Sequence, residues 1–140
     1  ILYLAFHYYK LFKNVVKIRR ETKISIGHNN KKLERAVRAH GNFCETCPLI
    51  IMLNFILYFN NLLFFAVLSL LFLAIGRSIH SYAVSDINED IYDQRKGMKF
   101  TIYSLFTAII GIIFYIIKLF YYSFQAHINT TFLPQIFLII

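Results

Sequence analysis

The sequence predicts an all-α membrane protein, a bundle of four transmembrane helices, and three observations carry that prediction. Of its 140 residues, 58% are hydrophobic and 16% charged, whereas a soluble domain is about half apolar and about a quarter charged. The apolar residues lie in long stretches: residues 62–76 and 100–117 contain no Asp, Glu, Lys or Arg. The longer stretch is about what a helix needs to cross roughly 30 Å of hydrocarbon, and the shorter one nearly reaches it once its neighbours are included. Finally, the stretches are continuous rather than alternating, so of the two structures that satisfy their backbone in lipid they fit helices, not barrel strands. A soluble four-helix bundle would need a polar stripe along each helix, and these segments lack one.

Taken in order, the expected spans cover about residues 1–20, 34–59, 62–85 and 97–122. The chain opens on Ile1 rather than Met, which points to a start further upstream. Residues 1–16 lack the small-residue cleavage site of a signal peptide and read as the first spanning helix, shortened. Asn60-Asn61 is a tight turn between the second and third spans. Residues 1–122 form one domain, with no internal repeat or linker, and residues 123–140 an apolar tail that reads as an interfacial segment or a disordered end.

Charge orients these spans. Lys10, Lys13, Lys17, Arg19, Arg20, Lys23, Lys31, Lys32, Arg35 and Arg38 surround the first connection, against Glu21 and Glu34. The Asn60-Asn61 turn carries no charge, and the third connection mixes Arg77, Arg95, Lys96 and Lys99 with Asp86, Glu89, Asp90 and Asp93. The positive-inside rule then puts connections one and three in the cytoplasm and both termini outside. A net charge of +8 would suit nucleic acid in a soluble protein. Here the basic residues gather at membrane ends, so anionic headgroups are the simpler partner and no nucleic acid is expected.

The informative segment opens the second helix, from Glu34 to Pro48. Arg38, Asn42 and Glu45 fall within about 60° of one another on a helix of 3.6 residues per turn. A charge facing lipid at depth costs about 2.5–3.5 kcal/mol, so this face is expected against protein or a water-filled pocket. A ligand site and an Arg–Glu pair that only joins helices both satisfy that expectation. His40, Cys44 and Cys47 occupy the opposite face. Their C-x-x-C spacing invites a redox or metal reading. No second cysteine pair accompanies it, and three ligands from one helix would need a fourth from elsewhere, so no metal is expected. Pro48 removes a backbone hydrogen bond and should kink the helix above the polar cluster. On the third helix Arg77 and His80 share a face at i, i+3, where snorkelling to the interface and pocket lining are both open. Arg95, with Lys96-Gly97-Met98, stands just before the fourth helix, and Tyr115, Tyr121 and Tyr122 read as an aromatic belt.

These residues resemble a family signature. Arg38-Ala39-His40-Gly41-Asn42-Phe43-x-Glu45-x-x-Pro48, then Gly76-Arg77-x-x-His80, then Arg95-x-Gly97-Met98, is similar to the bacterial branch of the membrane-associated proteins in eicosanoid and glutathione metabolism, the MAPEG family. The resemblance spans about residues 1–122. It implies a homotrimer in the bacterial inner membrane, with glutathione bound as co-substrate between neighbouring subunits on the cytoplasmic side. By position it implies glutathione contacts from Arg38, Asn42 and Glu45, with His40, Arg77 and His80 contributing and Arg20 (or Arg19) reaching in from the first helix. Arg95 matches the arginine that stabilises the glutathione thiolate in catalytic members. The sequence departs from the pattern at Thr46, where several members place a Tyr, and near Val84, where eukaryotic enzymes carry a thiol-side Tyr.

The implied chemistry suits the residue types. Glutathione carries two carboxylates and an ammonium, and the arginine fork binds carboxylate at two points while Glu45 supplies the acid. A guanidinium beside a thiol of pKa about 8.5 favours the thiolate nucleophile. The leading expectation is therefore a glutathione-dependent transferase or peroxidase acting on lipophilic electrophiles that enter from the bilayer. A non-catalytic lipid-binding or scaffold protein of the same fold stays open. A small transporter would line its path with polar residues through the whole membrane, and the outer halves of helices three and four are nearly all apolar.

Overall fold

The computed structural model describes residues 1–27, 29–86 and 91–131. It is all-helical over these residues: α1 (Leu2–Thr22), α2 (Lys31–Phe59), α3 (Leu63–Ser85) and α4 (Ile91–Thr131). The helices α2, α3 and α4 are long and apolar enough to cross a membrane. The first, α1, has 21 residues but carries Lys10, Lys13, Lys17, Arg19 and Arg20 in its second half.

Local chemistry sets the helix ends. Asn30 caps α2, its side-chain oxygen accepting from the backbone N–H of Lys32 at 2.9 Å and of Leu33 at 3.2 Å. The chain leaves α1 through Lys23 in the left-handed region. There Arg19 donates to the carbonyls of Ile24, Ser25 and Gly27. Between α2 and α3 the turn passes through Asn61 at φ 60°, a conformation asparagine tolerates better than most residues, and Leu62 N–H donates to Leu57 O at 2.9 Å.

Two helix ends differ from the hydropathy reading. The fourth helix begins at Ile91 rather than near 97 and runs to Thr131 rather than 122. Hydropathy marks where a helix is in hydrocarbon, and polar turns such as residues 91–96 continue the same helix beyond it. Residues 123–131 of the expected tail thus belong to α4. Residues 132–140, and Glu89 and Asp90 of the third connection, lie outside the described residues.

In lipid, close packing and interhelical hydrogen bonds hold helices together, and both are present. Helix α2 packs against all three others. A core of Leu4, Leu11, Phe43, Cys47, Ile50 and Leu73 joins α1, α2 and α3. In the span of α2, α3 and α4, the Asn54 amide donates to Ser69 Oγ at 2.9 Å, Ser69 Oγ to Ser104 O at 3.0 Å, and Ser104 Oγ back to Ser69 O at 2.7 Å. All three side chains are buried.

Candidate functional site

The stripe that begins α2 extends further than the sequence reading took it. Lys31, Arg35, Arg38 and Asn42 recur at i, i+4, i+7 and i+11, and Glu45 continues the same face. Together with Glu34, Val84 of α3 and Gln94 of α4, the first four line a cavity of 490 Å³. Lys31, Arg35 and Gln94 were not singled out as site residues, although the helical spacing of the two cations with Arg38 was there to read.

Behind Asn42 lies a polar layer that fixes the cavity wall. His80 is buried, its Nδ1 3.2 Å from Gln94 O and its Nε2 3.3 Å from the Asn42 amide nitrogen. One neutral tautomer serves both contacts, donating from Nδ1 and accepting at Nε2. Arg77 is 1% exposed. Its Nε and Nη2 donate to Thr101 Oγ1 at 3.1 and 2.9 Å, and its Nη1 donates to Thr46 Oγ1 at 2.9 Å and to Asn42 O at 3.2 Å. The Thr46 hydroxyl in turn donates to Asn42 O at 2.7 Å. Arg77 therefore neither snorkels nor lines the cavity; it ties α2 to α4 from inside α3 and holds the backbone that carries Asn42.

Two glycines make that layer possible. A Cβ on Gly97 would lie 2.5 Å from His80 N, and one on Gly76 would lie 2.8 Å from Thr101 N and 2.9 Å from Gly97 O. Only residues without a side chain let α3 and α4 approach this closely.

The remaining expected site residues are dispersed over the chain. Glu45 is exposed at the midpoint of α2, about 21 Å from either end at 1.5 Å per residue. His40 faces the other way, its ring centroid 5.2 Å from that of Tyr8 and 6.2 Å from that of Phe12. Arg20 is exposed at the end of α1, while its neighbour Arg19 is occupied by the connection's carbonyls. Arg95 is exposed in the second turn of α4, inside the helix rather than before it. Among the described residues, Arg20, Arg38, Glu45 and Arg95 make no hydrogen bond or ion pair, and the ion pair found is Lys17–Glu21 at 3.8 Å. Cys44 and Cys47 are both free thiols, one exposed and one buried, and no group of His, Cys, Asp and Glu among the described residues could hold a metal.

The sequence model of the MAPEG family matches residues 1–119. The chain belongs to the MAPEG family. No curated protein and no solved structure matches it. Membership and the apolar helices together make this an integral membrane protein of glutathione or eicosanoid metabolism. In this MAPEG chain hydrogen bonds join Asn42, Arg77, His80, Gln94 and Thr101 in one polar layer, and Arg38 lines the cavity beside Asn42.

Proposed function

We propose that this MAPEG chain is a glutathione-dependent transferase or peroxidase acting on lipophilic electrophiles in the membrane. The observation that carries the reading is the face of Arg38, Asn42 and Glu45. It sets a cation, an amide and a carboxylate along one side of a membrane helix, both charges unpaired within the subunit and the carboxylate at mid-helix. An uncompensated carboxylate at that depth calls for a polar partner, and glutathione presents the matching charges: carboxylates for Arg38 and an ammonium for Glu45.

The same geometry argues for a shared site. Arg38 and Asn42 face the cavity, whereas His40 faces α1. One ligand can meet both sets when the second set comes from a neighbouring subunit, as in a homotrimer whose contacts are head to tail. In that arrangement His40 and Arg20 close the site from the neighbour. The concentration of basic residues about the first connection supports an inner-membrane orientation with both termini outside and the site on the cytoplasmic side.

In the reaction the glutathione sulfur, as thiolate, attacks an electrophilic carbon of a substrate arriving from the bilayer. A carbon–sulfur bond forms, the leaving group departs with the electron pair, and the thiol proton passes to solvent. Arg95 is the cation assigned to the thiolate. Turnover with a generic electrophile tests it: Arg95→Ala should keep glutathione affinity within a few-fold and lower turnover by roughly 10- to 1000-fold. Equal turnover in variant and wild type would remove Arg95 from the chemistry.

A second reading, a non-catalytic lipid-binding protein of the same fold, rests on Thr46. Its hydroxyl donates to Asn42 O and accepts from Arg77, so it has no proton to offer a thiol. Glutathione binding without turnover in wild type would favour this second reading.

A further inference from the structure

The proposed glutathione face leaves a second polar recess unused. It lies between α1 and α3 and has a volume of 540 Å³. Lys10, Lys13 and Lys17 line it from α1, Ser78, Ser81 and Ser85 from α3, and no acidic side chain is among its lining residues. Each trio is spaced i, i+3, i+7, which places it along one side of its helix. The recess is on the flank of α1 opposite Tyr8 and Phe12, the rings that meet His40, so it shares no residue with the glutathione face.

Two contacts close the end farther from the first connection. Tyr3 Oη is 2.5 Å from Ser78 Oγ, and His7 Nε2 is 2.7 Å from Ser81 Oγ. Ser78 and Ser81 already donate to Ala74 O and Arg77 O. The donors left for a ligand are the lysines, Asn14 and Ser85. Lys17 is 3.8 Å from Glu21, while Lys10 and Lys13 make no ion pair or hydrogen bond among the described residues. Measured along α1 from its end at Thr22, Lys17 lies about 7.5 Å and Lys10 about 18 Å inward. Lys10 and Lys13, deeper in the recess and with no acid partner among the described residues, call for an anion that can follow them in.

We propose that this recess binds a phosphate ester, the headgroup of an anionic phospholipid from the leaflet on the side of the first connection. The phosphate sits between the ammonium groups of Lys10 and Lys13, with Asn14 and Ser85 as neutral donors. The acyl chains run along the apolar outer surfaces of the two helices. A phospholipid fits better than a free anion because the recess lies along the apolar, membrane-length helix α3 and its walls include Leu11 and Tyr82.

The test uses the full chain purified in detergent, with retained lipid measured by native mass spectrometry and unfolding followed by circular dichroism. Phosphatidylglycerol should stay bound and raise the unfolding temperature, and phosphatidylcholine should do neither. The double variant Lys10→Gln/Lys13→Gln should bind phosphatidylglycerol about 30-fold more weakly. The control Lys23→Gln/Lys32→Gln, which removes two cations outside the recess, should stay within a few-fold of wild type. Ser85→Glu, which places an anion at the mouth without deleting a lysine, should also abolish retention and covers the case in which the double variant does not fold. Equal losses in the recess and control pairs would overturn the proposal, since general surface attraction would then explain binding. Inorganic phosphate matching the effect of the lipid would overturn the lipid assignment and leave a soluble phosphate ester as the ligand. Glutathione titration of Lys10→Gln/Lys13→Gln should match wild type, so this site and the glutathione site can fail separately.

Discussion

A buried guanidinium keeps its charge at tolerable cost when neutral acceptors meet its N–H groups, and Arg77, with no carboxylate partner among the described residues, does this with two threonine hydroxyls and one helix carbonyl. Thr101 is the more exposed weakness, because its single oxygen accepts from both Nε and Nη2. Thr101→Val keeps the shape and removes that acceptor, so it should destabilise the protein by about 1–3 kcal/mol. Thr101→Ser should recover most of the loss; thermal unfolding in detergent, compared across the three proteins, measures both. A valine variant as stable as wild type would show that Arg77 finds another acceptor. The sequence made Arg77 conspicuous as a charge in a membrane helix but did not reveal its role. Its acceptors lie on two other helices, 31 and 24 residues away, and threonine in an apolar helix is no signal by itself. Glu45 is the opposite case: its helical phase with Arg38 was legible, and its exposure in the single subunit is what gives that phase a consequence.

At the scale of helices, Gly76 and Gly97 bring α3 and α4 together where the polar layer forms. Gly97→Ala puts a Cβ 2.5 Å from His80 N, against backbone that cannot swing aside. The helices must separate, lengthening His80–Gln94 and Arg77–Thr101, at a cost of about 1–3 kcal/mol. Gly41→Ala is the matched control, because a Cβ there meets nothing within 4 Å, and it should be neutral or gain up to about 1 kcal/mol in helix propensity. Thermal unfolding of the pair checks both; equal stability of the two alanine variants would contradict the close-packing account. Four helices and the Asn60-Asn61 turn could be read from uncharged runs and a charge-free break. The true reach of α4 could not, because its polar first turn and its last turns look like connection and tail to a hydropathy reading. The Asn54–Ser69–Ser104 bonds were equally hidden, since single polar residues spread over three spans share no spacing.

For the whole molecule, the proposed assembly follows from faces that one subunit cannot bring together. Arg38, Asn42 and Glu45 look one way and His40 another, so in the proposed trimer a complete site takes one face from each of two subunits. Native mass measurement should give a trimer, and a monomer alone at low detergent would contradict the assembly. Mixing provides a sharper check. Glu45→Gln and His40→Ala subunits should each bind glutathione weakly alone, yet co-assembled in equal amounts they should restore about one site in four, since each site needs one intact face from each of two randomly drawn subunits. No restoration would mean that both residues serve the same subunit's site or none. The most direct test of the central claim is calorimetric titration of glutathione into purified wild type and Glu45→Gln, a substitution that keeps the shape and removes the charge. The account predicts that wild type binds and that the variant binds about 10- to 150-fold more weakly, the effect of losing one charge-assisted hydrogen bond of about 1.5–3 kcal/mol. Equal affinity in the two proteins, or no glutathione binding by wild type, would contradict it.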